Sequence, residues 1–248
     1  MENRTLSIGG FEVVMAHSEE LKQRLKSLLQ HRKPVILLFA NTNFIVKCQH
    51  LIQPLRRPDI LIVNDGVGME IASRLIHHCN FPENLNGTDF VPKLLHESRA
   101  TARVFLLGAA PNIAQRAGHT LREKYGVTVC GCRNGYAEAT SDRQVIEHIN
   151  RCGANVLLVG MGNPLQEEWL LHHQREIDAP LLIGVGALFD FLSGEKPRAA
   201  PWIQRLRLEW LHRMCLEPGR LARRYTLDLI TFLNLCRKQA RGSHGGRT

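Results

Sequence analysis

Asp65 is the residue whose type and surroundings best suit it to move a proton. It stands in Asn64-Asp65-Gly66-Val67-Gly68, after the apolar run Ile60–Asn64 and before a stretch of helical periodicity. A carboxylate there can serve as a general base. It can equally cap the helix that follows, which Asp does well. Asp190 is flanked by Phe189 and Phe191, an awkward place for a charge unless it is paired or holds a ligand. Three more turns close apolar runs: Gly108-Ala109-Ala110-Pro111, Gly160-Met161-Gly162-Asn163-Pro164 and Gly184-Val185-Gly186-Ala187. Glycine lets a backbone approach a ligand closely, and a helix starting after such a turn aims free N–H groups at an anion. Together the four turns favour a nucleotide or phosphate ligand over simple turn chemistry. Gln166, opening the next helix, can reach the same region, while Glu167 and Glu168 complement that helix's dipole.

Other chemistries find less support. The nearest approach to GxGxxG, Gly66-Val67-Gly68-Met69-Glu70-Ile71, lacks the third glycine, and no GxxxxGK[ST] occurs. A dinucleotide-dependent oxidoreductase is therefore an alternative of second rank. No DxD pair offers a metal–diphosphate clamp, so neither metal nor cofactor is expected. His77-His78 and His172-His173 are neighbours on helices and do not converge on one ion, so they read as solvated helix faces. Cys130 and Cys132 form a CxC without a second pair at zinc spacing.

These residues need a scaffold that brings strand ends together. Thr5–Ala16 alternates around Gly9-Gly10 and predicts a hairpin; Ser18–Gln30 predicts a helix. Short apolar runs follow at Pro34–Ala40, Ile60–Asn64, Arg103–Gly108, Val127–Gly131, Asn155–Gly160 and Pro180–Gly186. Helical patterns lie at 66–79, 111–125, 141–152 and 163–175. Continuous apolar runs alternating with helices mark parallel strands buried on both faces, hence an α/β, Rossmann-like body. Ligands of such sheets bind beyond the carboxyl ends of the strands.

The 248 residues suit one large domain with an appendage. Seven scattered cysteines fit a reducing cytosol, and no signal sequence or membrane span is visible. Net charge is +9, of which residues 195–248 carry +8 with twelve Lys/Arg against four acids. The reading divides 1–194, the α/β body, from 195–248, a basic appendage with helices expected at Trp202–Cys215 and Pro218–Lys238. Trp202, Leu206 and Trp210, then Leu221, Tyr225, Leu229 and Phe232, recur at helical spacing. The stripe can dock on the body or lie in a membrane interface; the charge favours an anionic membrane surface. A nucleic-acid-binding module using the basic tail is the other alternative, and it leaves the strand-end glycines and Asp65 unexplained.

Several stretches, in order, resemble the WecG/TagA/CpsF family of bacterial glycosyltransferases. They are Asp65-Gly66-x-Gly68, Gly87-Thr88-Asp89-x-x-Pro92, Phe105-Leu106-Leu107-Gly108-Ala109-x-Pro111, Gly135-Tyr136, Gly160-Met161-Gly162-x-Pro164-x-Gln166-Glu167-x-Trp169, Gly184-Val185-Gly186-Ala187-x-Phe189-Asp190-Phe191-x-Ser193-Gly194, and a run from Glu209-Trp210 to Arg223-Arg224-Tyr225. The resemblance implies a metal-independent, inverting transferase. It would move a sugar from a UDP-sugar to a polyprenyl-diphosphate-linked saccharide in surface or exopolysaccharide synthesis, at the cytoplasmic face of the membrane. It implies Asp65 as base, with Asn41, Gln166 and Asp190 lining the donor pocket. Thr42, Gly108, Gly135, Tyr136, Gly160 and Gly162 are expected at the same pocket. Arg213, Arg220 and Arg223 would close over the diphosphate. Many members carry a threonine two residues before the Asn41 position; here it is Phe39, so that role does not transfer. Oligomerisation is compatible with this reading.

Overall fold

The computed structural model describes residues 4–135, 141–200, 203, 211, 214, 219 and 228–239. The strands are β1 (Thr5–Ile8), β2 (Phe11–Val14), β3 (Val35–Ala40), β4 (Ile60–Asn64), β5 (Arg103–Gly108), β6 (Thr128–Arg133), β7 (Val156–Gly160) and β8 (Leu181–Gly184). The helices are α1 (Ser18–Gln30), α2 (Thr42–Lys47), α3 (Ile52–Leu55), α4 (Val67–His77), α5 (Gly87–Glu97), α6 (Ile113–Tyr125), α7 (Asp142–Arg151), α8 (Leu165–His173) and α9 (Leu188–Leu192). Residues 228–239 are also helical.

The sheet runs β1-β2-β4-β3-β8-β7-β5-β6, parallel throughout except for the antiparallel β1–β2 hairpin. Alternation along each strand splits the core in two. Ile36, Leu38 and Ala40 face a layer containing residues of α2, α4, α7 and α8. Val35, Leu37 and Phe39 face the layer of α1, α5, α6 and α9. This is the expected α/β architecture, with the inner strands β4, β3, β8, β7 and β5 buried from both sides.

Two features differ from the sequence reading. The stretch after β3 coils into the short α2 and α3, and Gly87–Glu97 forms α5 despite Gly87 and Pro92. Asn86 caps α5, its side chain accepting from the Thr88 N–H at 2.8 Å. The second difference lies in the basic appendage. Phe232 and Cys236 are buried in the core, and the Gln239 side chain bonds both the Gly9 N–H (2.8 Å) and the Ser7 carbonyl (2.7 Å). Residues 228–239 therefore dock on the body. Phe232 is a core residue rather than a lipid-facing one, while Leu229 and Ile230 stay exposed. Of the remainder of the expected helices only 203, 211, 214 and 219 are among the described residues; Trp202, Trp210 and Tyr225 lie outside them.

β6 carries one surplus residue where its register with β5 shifts between Val104 and Phe105. The bulge sends Cys130 towards one core layer and Cys132 towards the other, so the CxC does not converge.

Candidate active site

Strand order decides which residues meet at the carboxyl edge. Reading across β4, β3, β8, β7, β5 and β6, the strand-end residues are Asp65, Asn41, Gly186, Gly162, Gly108 and Gly135. The connection from β5 leads outward to β6, and that from β7 leads the other way to β8. The chain therefore parts above β5 and β7, where ligands of such sheets settle.

The turn bearing Asp65 is fixed at three consecutive residues. The Asn64 carbonyl accepts from the Leu85 N–H (3.2 Å), the Asp65 N–H donates to the Ala40 carbonyl (2.7 Å), and the Gly66 N–H donates to Asn84 Oδ1 (2.7 Å). Asn64, fully buried, adds a bond from its Nδ2 to the Glu83 carbonyl at 2.9 Å. The N-cap of α4 is Gly66, at φ +96°, a conformation that favours glycine. Asp65 stands one residue before that position.

Next to this turn, Asn41 caps α2, its side chain accepting from the N–H groups of Asn43 and Phe44, both at 3.1 Å. Thr42 presses against the Asp65 turn: a Cβ on Gly68 would lie 2.4 Å from Thr42 Cγ2. Phe39, at the departing position, points away into the core against Gly87 and Phe90.

The middle of the edge holds a network that the sequence did not reveal. Gln166 is 3% exposed and Glu167 1%. Glu167 Oε1 accepts from Asn163 Nδ2 and from Gln166 Nε2, each at 2.7 Å. Gln166 Oε1 accepts from the Gly186 N–H at 2.9 Å, and Asn163 Oδ1 from Asn43 Nδ2 at 3.2 Å. Burial pushes the Glu167 carboxyl up to about 7 against the opposing pull of these donors. Burial, with Glu167 beside it, also pushes the Cys48 thiol well up. Glu167 is thus no solvated dipole complement. Glu168 pairs instead with His50 at 2.7 Å.

Across β7, β5 and β6 the backbones meet each other. The Ala109 N–H donates to the Gly160 carbonyl (2.9 Å) and the Gly135 N–H to the Ala109 carbonyl (3.0 Å). A Cβ on Gly108 would lie 2.4 Å from the Gly160 oxygen, so glycine here serves strand-to-strand approach directly. Tyr136 lies outside the described residues.

Asp190 carries a partner: Lys196 Nζ stands 2.9 Å from Oδ2. Beside it, Glu195 pairs with Arg116 on α6, and Arg198 forks onto Asp89 of α5. Three helices, α5, α6 and α9, thus tether residues 195–198. Arg213, Arg220 and Arg223 lie outside the described residues. Of the paired histidines, His173 is buried, with Glu176 at 3.0 Å and Asp142 at 3.4 Å on its two ring nitrogens. His77 reaches the Ser7 carbonyl at 2.7 Å. The other member of each pair, His78 and His172, is exposed as expected of a solvated face. Among the described residues, no three His, Cys, Asp or Glu side chains gather as a metal site.

Asp65 and Gly108 end strands four places apart, roughly 19 Å at the usual strand spacing. An edge of that length, with an acid at one end and glycine turns at the other, suits an extended ligand. The sequence model described as "Glycosyl transferase WecG/TagA/CpsF family" matches residues 6–245. The N-acetylglucosaminyldiphosphoundecaprenol N-acetyl-beta-D-mannosaminyltransferases of Staphylococcus aureus strains NCTC 8325 / PS 47, COL and MRSA252 are similar. Each is 28% identical over 174 residues, covering 69% of this chain and 67% of the relative. With the match spanning the α/β body and the strand-end turns alike, the chain belongs to the WecG/TagA/CpsF family and is a glycosyltransferase.

Proposed function

We propose that the protein moves a sugar from a UDP-sugar to a polyprenyl-diphosphate-linked saccharide, inverting the anomeric centre without a metal ion. The observation that carries the reading is Asp65, standing at the end of β4 on the strand-end edge, with its own N–H and those around it bonded. Asp65 takes the proton from the acceptor hydroxyl as its oxygen attacks the anomeric carbon, and the bond to the UDP oxygen breaks on the opposite side. A single displacement of this kind inverts the centre. Charge on the departing UDP falls to arginines, whose planar fork suits phosphate oxygens. Arg213, Arg220 and Arg223 of the basic tail are assigned that role from the family resemblance.

Asn41, Thr42 and Asp190 border the sugar end, and Gly108, Gly135, Gly160 and Gly162 the nucleotide end; Tyr136 is assigned to the pocket from the family resemblance. The similar relatives are named for transfer of N-acetylmannosamine onto N-acetylglucosaminyl-diphosphoundecaprenol, which makes these the first donor sugar and acceptor to try. A lipid-linked acceptor places the enzyme at a membrane surface. No helix among the described residues is long and apolar enough to cross one. Attachment is peripheral, at the cytoplasmic face, through the +8 of residues 195–248, each cation near an anionic surface contributing about 1 kcal/mol.

The test is a panel of UDP-sugars offered with a short-chain prenyl-diphospho-N-acetylglucosamine acceptor, reading UDP release. UDP-N-acetylmannosamine should be turned over with acceptor and spared without it. Turnover of another UDP-sugar would reassign the donor. Release from none of them, with tight NADH binding instead, would move the protein to the oxidoreductase reading.

A further inference from the structure

Glu167 is an expensive residue to place where it is. A carboxyl that is 1% exposed loses its water, and an apolar side chain of similar size would fill the space without that cost. What the carboxyl does that no apolar group can do is accept. Two side-chain amides, Asn163 and Gln166, direct their NH2 groups at the same oxygen, Oε1, while the Cys48 thiol donates to Oε2 at 3.7 Å.

An amide has two different ends, and an accepting oxygen decides which end faces it; Oε1 accepts whether Glu167 is ionised or carries a proton on Oε2. With the NH2 groups turned to Glu167, the two amide oxygens face outward. That of Gln166 meets the Gly186 N–H in the turn after β8, and that of Asn163 meets Asn43 on α2. Were the Gln166 amide reversed, its NH2 would face the Gly186 N–H, donor against donor. Glu167 therefore sets the polarity of two relays that leave α8 in different directions. One ends beside Asn41 and Thr42, the other in the turn that leads to Asp190.

We propose that Glu167 is a positioning residue for glycosyl transfer: by fixing the orientation of the Gln166 and Asn163 amides it locks the turns after β3, β7 and β8 into one rim for the nucleotide-sugar. The inference rests on the reading of the strand-end edge as a UDP-sugar site. Glu167 touches no substrate. Its effect passes through Gln166 and Asn163, so loss of Glu167 loosens three turns together.

The test compares Glu167→Gln, Glu167→Asp and Glu167→Met in the full chain. UDP titration by calorimetry is combined with steady-state transfer, well below each variant's melting temperature. Gln keeps an oxygen in the place of Oε1 and should recover UDP affinity to within about threefold of the wild type. Asp keeps the charge but is one methylene short. It and Met lose the two relays and should weaken UDP binding about tenfold or more, one to two hydrogen bonds' worth. The donor KM should rise more than kcat falls. A residue kept for its charge would show the reverse order, Asp retained and Gln lost, and that result overturns the proposal.

Wild-type affinity in a folded Asp variant overturns it as well, and the Gln–Asp pair decides the matter even where Met does not fold. If the wild type binds no UDP, the reading of the site fails on its own. The Gly186 amide resonance of the ligand-free protein then still reports on Glu167, shifting in the Asp variant and holding in the Gln variant if the relay exists as described.

Discussion

Asn84 Oδ1 accepts the Gly66 N–H at 2.7 Å, and this bond adds to those of Leu85 and Glu83 with Asn64 in tying the loop before α5 to the turn that carries Asp65. Gly66, at φ +96°, has no side chain to hold the turn itself. Asn84→Ala should lower kcat by about tenfold, on the scale of a lost hydrogen bond converted to misplacement of the base. Asn84→Asp, which keeps the acceptor, should recover most of it. Unchanged kcat in a folded Asn84→Ala enzyme would show that the remaining backbone bonds suffice.

Asp65→Asn keeps shape and removes basicity. The variant should fold and bind UDP as the wild type does, while transfer slows by about 10²–10⁴-fold, the usual worth of a positioned base. Single-turnover measurement with saturating acceptor isolates this step; near-normal rates would strip Asp65 of the proton-transfer role.

Glu167 predicts a pH dependence of stability. Its carboxyl ionises about 7 in the fold against an ordinary 4.5. Between those values the folded chain holds a proton that the unfolded chain has released. The group's contribution is therefore fully present below 4.5 and is lost as pH rises through 7, a total of roughly 3 kcal/mol. Glu167→Gln cannot titrate. Urea melts at pH 5 and pH 8 should show the variant gaining on the wild type by an amount approaching that figure, and parallel pH profiles would contradict the assignment.

Phe232 lies fully buried although it belongs to the basic appendage. Phe232→Ala should cost about 3–5 kcal/mol of stability in urea melts, the range for emptying a core aromatic site. Deletion of everything after Gly194 removes Phe232, Cys236 and the Gln239 tie together, and should leave an unstable body rather than a more soluble one. A cooperative, wild-type-like melt of the truncated chain would place this helix outside the folding unit.

The proposed metal independence rests on the sequence holding no DxD pair, with arginines proposed in place of a clamp on the diphosphate. Transfer should continue at full rate in excess EDTA. A loss restored by Mg²⁺ or Mn²⁺ would mean that a cation shares the leaving-group charge.

The strands and long helices were legible because apolar runs and helical periodicity were both strong, as in β3, β4, α1 and α6. α5 was hidden by Gly87 and Pro92, which usually argue against a helix, and it forms because Asn86 caps it and Phe90, Val91, Leu94 and Leu95 bury against the sheet. Asp65 was visible through its place after an apolar run. Glu167 was not. Gln-Glu-Glu at a helix start looks like dipole compensation, and only the packing of α2 and Cys48 beside Glu167 shows that one of the two acids is enclosed. The stripe through Phe232 had the right period, but periodicity alone does not say whether a stripe faces lipid or protein.

The outer strands carry a consequence for assembly. On one flank the Ser7 carbonyl of β1 already accepts from both His77 and Gln239. On the other, the surplus residue in β6 breaks the regular ladder next to its open side. A sheet guarded at both ends resists templated growth, in which a neighbouring molecule adds strand upon strand. Growth of one sheet onto another from either of these strands is therefore disfavoured.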